Sequence, residues 1–346
     1  MNPALTLLPS TDPAQLLRFR DRQYSAELIA TALLHFDFFT WLGQNDGSTS
    51  DAISAHFGFI ARPLDVLLTL CRASGLVTTD AAGGHHLTAQ AREHLVKGSP
   101  WFLGPYYAPI KDTPIVHGFL QVLRTGKPGN WQAKYDAKDW HESMLDPEFA
   151  RSFTDLMNSR GMVFGQFLAK GITPHLGQRR HLLDVGGGSG IYSSTMVAAH
   201  SQLSATVLEQ SPVDAIVRKE IEKHGLTDRV QVVAGDMFQV TWPQADIVLL
   251  SNVLHDWDVA EARALLVKAA ETLPSGGLLV IHDAFIHDDK AGPMAVAEYS
   301  ALLMNITQGK CYSPAEYAEL MSGLGFEPGM YQDTVADRGF MTAVKS

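Results

Sequence analysis

A doubly wound α/β domain, preceded by a mainly helical one, is the architecture this sequence predicts, and three observations predict it. From residue 181 onward, short apolar runs alternate with helical patterns. The first of those runs turns abruptly into a cluster of glycines, and the N-terminal third carries helical periodicity closing in a short hairpin. Alternation at this spacing predicts a mostly parallel sheet with helices on both faces. The expected segments are 1–100, 101–175 and 176–346.

In the last segment the expected strands are His181–Val185, Ala205–Glu209, Val230–Ala234, Ile247–Asn252 and Leu278–Ala284. Helices are expected near 190–200, 212–224, 258–273, 293–308 and 313–324. Glu327–Thr334 and Gly339–Val344 would add a terminal hairpin at one edge.

In the N-terminal segment, Ala26, Leu28, Ile29, Ala32, Leu33, Phe36, Phe39 and Leu42 make a broad apolar stripe at helical spacing. Ser48–Phe57 and Arg62–Gly75 read as two further helices, the second closed by its glycine. Leu76–Asp80 and His85–Thr88 read as a small β-wing, which makes the whole a winged helix-turn-helix. A DNA-binding role needs a basic face. Residues 1–100 carry seven Lys and Arg against nine Asp and Glu, a net of −2, with no basic stripe to meet phosphates. The stripe suits a subunit interface, with an internal core as the competing reading.

Residues 101–149 read as irregular but dense in aromatics: Trp101, Phe102, Tyr106, Tyr107, Phe119, Trp131, Tyr135, Trp140 and Phe149. Packing between domains accounts for most of them, and a few would line a pocket for a flat organic molecule. A helix is expected from Asp146 to Gly171, with Phe149, Phe153, Met157, Phe164 and Phe167 on one face.

The formal charge of −10 over 346 residues argues against nucleic acid or an anionic membrane as partner. Two cysteines, Cys71 and Cys311, cannot build a disulfide framework, so a reducing cytoplasm is the expected compartment. No signal peptide is evident, and no apolar run reaches the roughly 20 residues of a membrane span.

The chemistry concentrates at strand ends, where ligands bind in such sheets. Gly186, Gly188 and Gly190 give a G-x-G-x-G spacing, and Ile191 stands where a dinucleotide fingerprint needs its third glycine. The acid precedes the glycines, at Asp184. Glu209 ends the second strand, where a carboxylate can accept hydrogen bonds from both hydroxyls of a ribose. Asp236, in Gly235-Asp236-Met237-Phe238, could accept from an adenine amine or simply cap a helix. Three acids beside a glycine loop suit a cationic sulfonium cofactor, S-adenosylmethionine, better than a pyrophosphate.

The fourth strand leads into Ser251-Asn252-Val253-Leu254-His255-Asp256-Trp257, which places His255 at the ligand end of the sheet as a candidate general base. The fifth ends in His282-Asp283. These strands are neighbours in a doubly wound sheet, so Asp283 could hold the tautomer of His255; a plain surface acid is the alternative. A metal site built from His255, Asp256, His282 and Asp283 is disfavoured, because adjacent strand residues point to opposite faces.

With Asp184–Gly190, Glu209, Gly235–Phe238 and Val253–Trp257 in place, the chain resembles the S-adenosylmethionine-dependent small-molecule O-methyltransferases. These are the plant phenylpropanoid and flavonoid enzymes, the animal hydroxyindole enzymes and bacterial antibiotic-tailoring relatives, and the likeness spans nearly the whole chain. The resemblance implies a Rossmann-like catalytic domain, an N-terminal winged-helix domain that makes a homodimer, and a small aromatic substrate. It implies cofactor contacts at Gly186, Glu209, Asp236, Met237 and Ser251, and a base at His255. It also implies substrate contacts near Met157, Phe164, Met304 and Asn305. Plant members carry glutamates where Asp283 and Cys311 stand here, and many members carry lysine where Ser251 stands. The expected reaction is methyl transfer to an aromatic hydroxyl. Methylation of nitrogen or carbon, a cofactor-binding but non-methylating enzyme, and a transcriptional regulator are the competing readings.

Overall fold

The computed structural model describes residues 2–128 and 143–346, so Trp131, Tyr135 and Trp140 of the aromatic segment lie outside it. The chain divides into two compact units that do not follow the three expected segments. One unit joins Gln15–Trp140 to Ile286–Ser313, and the other joins Met1–Ala14, His141–Phe285 and Pro314–Ser346. Packing is the cause. The helix Met294–Ile306 lies against Ala61–Ala73 and Pro114–Thr125, and the helix Pro147–Leu176 lies against Ile191–Ala199.

In the first unit the helix Ala14–Leu34 buries Leu28, Ala32 and Leu33 completely, as the following helix Phe38–Gln44 does Phe39 and Leu42. A wholly buried leucine contributes roughly 1.5–3 kcal/mol; most of this stripe is internal core, the competing reading, while Ala26 is exposed and Phe36 half-buried. Exposed apolar side chains of this unit include Leu16 (72%), Phe19 (60%), Trp101 (60%) and Tyr106 (81%). Thr49 caps Ser50–Phe57 by accepting from the Ala52 amide at 3.3 Å. The wing is β1 (Val77–Thr79) paired antiparallel with β2 (His85–Leu87), its turn closed by Asp80, which accepts from the amides of Ala82 and Gly84.

Residues 101–149 are less irregular than expected. A regular helix runs over Pro114–Thr125, started by the Thr113 cap and stopped by left-handed Gly126. It buries Val116, Phe119, Val122 and Leu123, so Phe119 is core.

The second unit is built on an eight-stranded sheet. Its strands are β3 (His181–Val185), β4 (Ser204–Glu209), β5 (Val230–Ala234), β6 (Ile247–Ser251), β7 (Leu278–Asp283), β8 (Phe326–Pro328), β9 (Gln332–Asp333) and β10 (Gly339–Lys345). The order is β5-β4-β3-β6-β7-β10-β8, with β9 on β10. Pairs from β5 through β7 are parallel, and β10 runs antiparallel to β7, β8 and β9. From β3 the chain first steps to β4 and β5 on one side, then returns to β6 and β7 on the other. That reversal opens a crevice at the carboxyl ends of β3 and β6, where open α/β sheets hold their ligands. The apolar runs of β3, β6 and β7 are buried throughout, as strands covered on both faces require.

The helix Pro147–Leu176 begins on Asp146, which accepts from the amides of Glu148 and Phe149, and continues five residues past the expected stop at Gly171. Gly171 is a site of close approach, since a Cβ there would lie 2.8 Å from the Phe340 ring. Gly165 does the same toward Ile191–Ala199, where a Cβ would lie 2.5 Å from Thr195 Oγ1. Among the described residues no single helix is long and apolar enough to cross a membrane.

Candidate active site

The loop after β3 takes its shape from glycines that alone adopt its backbone without strain: Gly186, Gly188 and Gly190 have φ of 64°, 58° and 74°. Gly188 faces open space, and its amide donates to Glu209 Oε2 at 2.9 Å. The Gln210 amide donates to Glu209 Oε1 at 2.8 Å, so both carboxylate oxygens are fixed by main chain at the end of β4. Burial pushes Glu209 up to about 7 against those two donors. Asp184, wholly buried, accepts from Ser193 Oγ at 2.8 Å, while its Oδ1 has no partner. Burial pushes it up to about 6.

Past β5, Asp236 accepts from the Phe238 amide at 2.8 Å, closing a turn that no helix follows. The turn Gly235–Phe238 is tied down by residues the sequence reading missed. Trp242 donates to the Met237 carbonyl at 2.8 Å, and Lys268 donates to the carbonyls of Phe238 and Val240. Phe238 meets the Trp257 ring edge-on at 4.7 Å. These residues fit the adenosyl group the glycine loop implies: main-chain-fixed carboxylates for hydroxyls, an open glycine face, and an orphaned buried oxygen on Asp184.

At the neighbouring strand ends, His255 and Asp283 come together. Both are buried, and His255 Nδ1 hydrogen-bonds Asp283 Oδ1. Asp283 is therefore not a surface acid. It also accepts from the Ala284 amide at 2.7 Å and from the Tyr317 hydroxyl at 3.3 Å. Burial would raise its carboxyl, yet His255 facing it, the Ala284 amide and the more distant Arg338 hold it below the ordinary range. On the other side of the ring, Nε2 lies 3.6 Å from Asp256 Oδ1. Burial pushes Asp256 up to about 6, against the pull of His255.

His282 does not join this group. It turns to Ser251, Nδ1 to Oγ 2.8 Å, and burial pushes it down to about 3, which keeps the ring neutral. Asn252 continues the chain of polar contacts, donating to Ser251 Oγ and to Tyr192 Oη, from a left-handed backbone at φ 53°. Neither Asn252 nor Tyr192 was singled out by sequence; a lone asparagine after a strand gives no sign that its φ is positive.

The expected substrate contacts fall in different units. Met157 is half-buried on Pro147–Leu176, and two turns further along the same face Phe164 is fully buried with the Arg338 guanidinium 5.4 Å from its ring centre. Met304 and Asn305 belong to the other unit. There Met304 is wholly buried, and Asn305 donates to the Ile115 carbonyl at 3.3 Å.

Residues 119–327 match the family model described as an O-methyltransferase domain. A 3-hydroxy-5-methyl-1-naphthoate 3-O-methyltransferase of Streptomyces sahachiroi is 31% identical over 85% of this chain and 84% of its own. Among solved structures, an O-methyltransferase family 2 protein from Planctomyces limnophilus, in complex with apigenin, superimposes with a TM-score of 0.88 at 28% identity, covering 99% of this chain and 98% of that one. An O-methyltransferase from neocarzinostatin biosynthesis, in complex with S-adenosylmethionine and 2-hydroxy-5-methyl naphthoic acid, gives 0.57 at 27% identity, over 94% and 96%. With the family model covering more than half of the sequence, the chain belongs to the O-methyltransferase family.

Proposed function

We propose that this chain transfers the methyl group of S-adenosylmethionine to a phenolic hydroxyl of a small aromatic metabolite, with His255 as the general base. The observation that carries this reading is the buried His255–Asp283 pair at the carboxyl end of the sheet, beside the glycine loop. The pairing fixes the imidazole so that Nδ1 carries the proton and Nε2 is the basic nitrogen. Asp184, Gly186, Gly188, Glu209, Gly235, Asp236, Met237, Phe238 and Ser251 are the residues that would hold the cofactor. When bound, that group supplies an electrophilic methyl on a positively charged sulfur.

His255 takes the hydroxyl proton at Nε2, and anionic Asp283 stabilises the imidazolium that results. A phenol near pKa 10 and an ordinary histidine near 6.5 differ by an amount that costs about 5 kcal/mol for full transfer. Holding the reactants in line contributes about 7–11 kcal/mol, so positioning is the larger effect and the base the smaller. The aromatic substrates named for the Streptomyces and neocarzinostatin relatives support a fused or extended phenolic acceptor. A homodimer formed through the N-terminal unit belongs to the same proposal, supported by the exposed Leu16, Phe19, Trp101 and Tyr106. A cytoplasmic setting is part of it too, supported by the low cysteine count.

The test is incubation of the wild-type protein and His255→Ala with methyl-labelled cofactor and a phenolic library, read by mass spectrometry. Label on oxygen is expected, with His255→Ala slower by about a hundredfold or more and calorimetric binding of S-adenosylhomocysteine preserved. A product that keeps its free hydroxyl would move the reading to carbon or nitrogen, and undiminished turnover would remove His255 from the chemistry.

A further inference from the structure

We propose that Tyr317 is a positioning residue for the methyl transfer, orienting Asp283 and tempering its basicity, and through it setting the pH at which the base works. This rests on the reading of His255 as the base. The two oxygens of Asp283 have divided duties: Oδ1 meets His255 Nδ1 and the Ala284 amide, and Oδ2 receives the Tyr317 hydroxyl at 3.3 Å. With both oxygens engaged, the orientation in which the carboxylate faces the imidazole is favoured.

Tyr317 is wholly buried, its ring edge-on to Phe285 at 5.3 Å. Phenylalanine would serve that packing equally well; the hydroxyl is the part that reaches the acid. A hydrogen bond to an anion in a buried site is stronger than one between neutral groups. The charged groups acting on Asp283 are few. His255 and Arg338 favour its ionised form, Asp256 is the other carboxylate on the dyad, and Arg160 acts on Asp256 and His282. His282, next in the strand, is neutral and turned to Ser251. Tyr317 is a neutral side-chain donor to Asp283, beside the neutral main-chain donor Ala284. Removing its hydroxyl leaves Asp283 a stronger acceptor, which stabilises imidazolium over imidazole and leaves less base at low pH.

The experiment compares wild-type protein with Tyr317→Phe, which keeps the ring. Two readings are taken: the low-field proton resonance of the His255–Asp283 hydrogen bond without substrate, and the pH profile of kcat/KM. In Tyr317→Phe the resonance moves downfield and the acid limb moves up by roughly half to one pH unit. Turnover is then several-fold lower near pH 6, close to wild type near pH 8, and S-adenosylhomocysteine affinity is unchanged. Incorporating 3-fluorotyrosine at 317, a stronger donor, moves the acid limb the opposite way, which keeps the test decisive if Tyr317→Phe folds poorly. An unmoved resonance with superimposable profiles overturns the proposal. His255→Ala at wild-type turnover overturns the reading of the base instead, and the resonance distinguishes the two failures because it needs no turnover.

Discussion

Asp184, one residue before the end of β3, and Asp283, at the end of β7, belong to one sheet, and both are sealed from solvent, yet they hold their charge in opposite ways. Asp184 has a serine hydroxyl for company and an orphaned oxygen, and burial lifts it to about 6. Asp283 faces an imidazole, an amide and a phenol, and it is held low despite equal burial. Burial therefore does not decide which acid is reactive; partners do. The glycine-loop half of the crevice is made of main chain, open glycine and acids whose charge burial penalises. The His255 half pairs most of its polar side chains with one another, leaving His282 Nε2 and Asn252 Oδ1 without a partner.

The sharpest way to break this contrast is Asp283→Asn. An amide cannot stabilise the imidazolium and permits the wrong tautomer, so kcat should fall by about 10²–10⁴-fold, the span that general base catalysis contributes. A loss under tenfold, measured in steady state at saturating cofactor, would mean that the pair is structural.

Stability should separate the two acids next. A carboxyl raised on folding penalises the native state above its unfolded value, so the Asp184 term makes the protein more stable as pH falls from 7 toward 4. One held low, like Asp283, stabilises above its unfolded value, and that contribution is lost as pH falls through its folded value. Asp184→Asn should therefore gain up to about 3 kcal/mol at pH 7 in the cofactor-free protein, at about 1.36 kcal/mol per unit, and gain nothing near pH 4. Urea unfolding at both pH values checks this. Equal gains at both would show that the acid's charge is not the cause.

The smallest effect concerns the joint between the halves, Asn252. At φ 53° an alanine is strained where a glycine is not. Asn252→Ala should be less stable than Asn252→Gly by about 1 kcal/mol in the same assay. Identical midpoints would show that the turn relaxes.

Much of this was legible in the residues. Strand runs near 181, 205, 230, 247 and 278 are apolar and bounded by turn residues, so the sheet and its ligand edge follow from pattern alone. His255 and Asp283 were readable because both come at the ends of strands that topology makes neighbours. Tyr317 was not, for it reaches Asp283 from a helix 34 residues later in sequence, and spacing carries no trace of that. The apolar stripe from Ala26 to Leu42 shows the general limit: periodicity reveals which face avoids water, never what covers it. The Pro114–Thr125 helix has a threonine-proline start and a glycine stop in its sequence, but the aromatics spread through the surrounding segment mask its periodicity.

The way the first unit recruits Ile286–Ser313 bears on how the protein is made. A ribosome has released the whole of Gln15–Trp140 long before the helix that covers Ala61–Ala73 and Pro114–Thr125 leaves the exit tunnel. At about 5–20 residues per second, that interval is on the order of ten to thirty seconds. Throughout it the nascent chain carries an apolar groove with no lid, so this stretch of synthesis is when chaperones have most to hold.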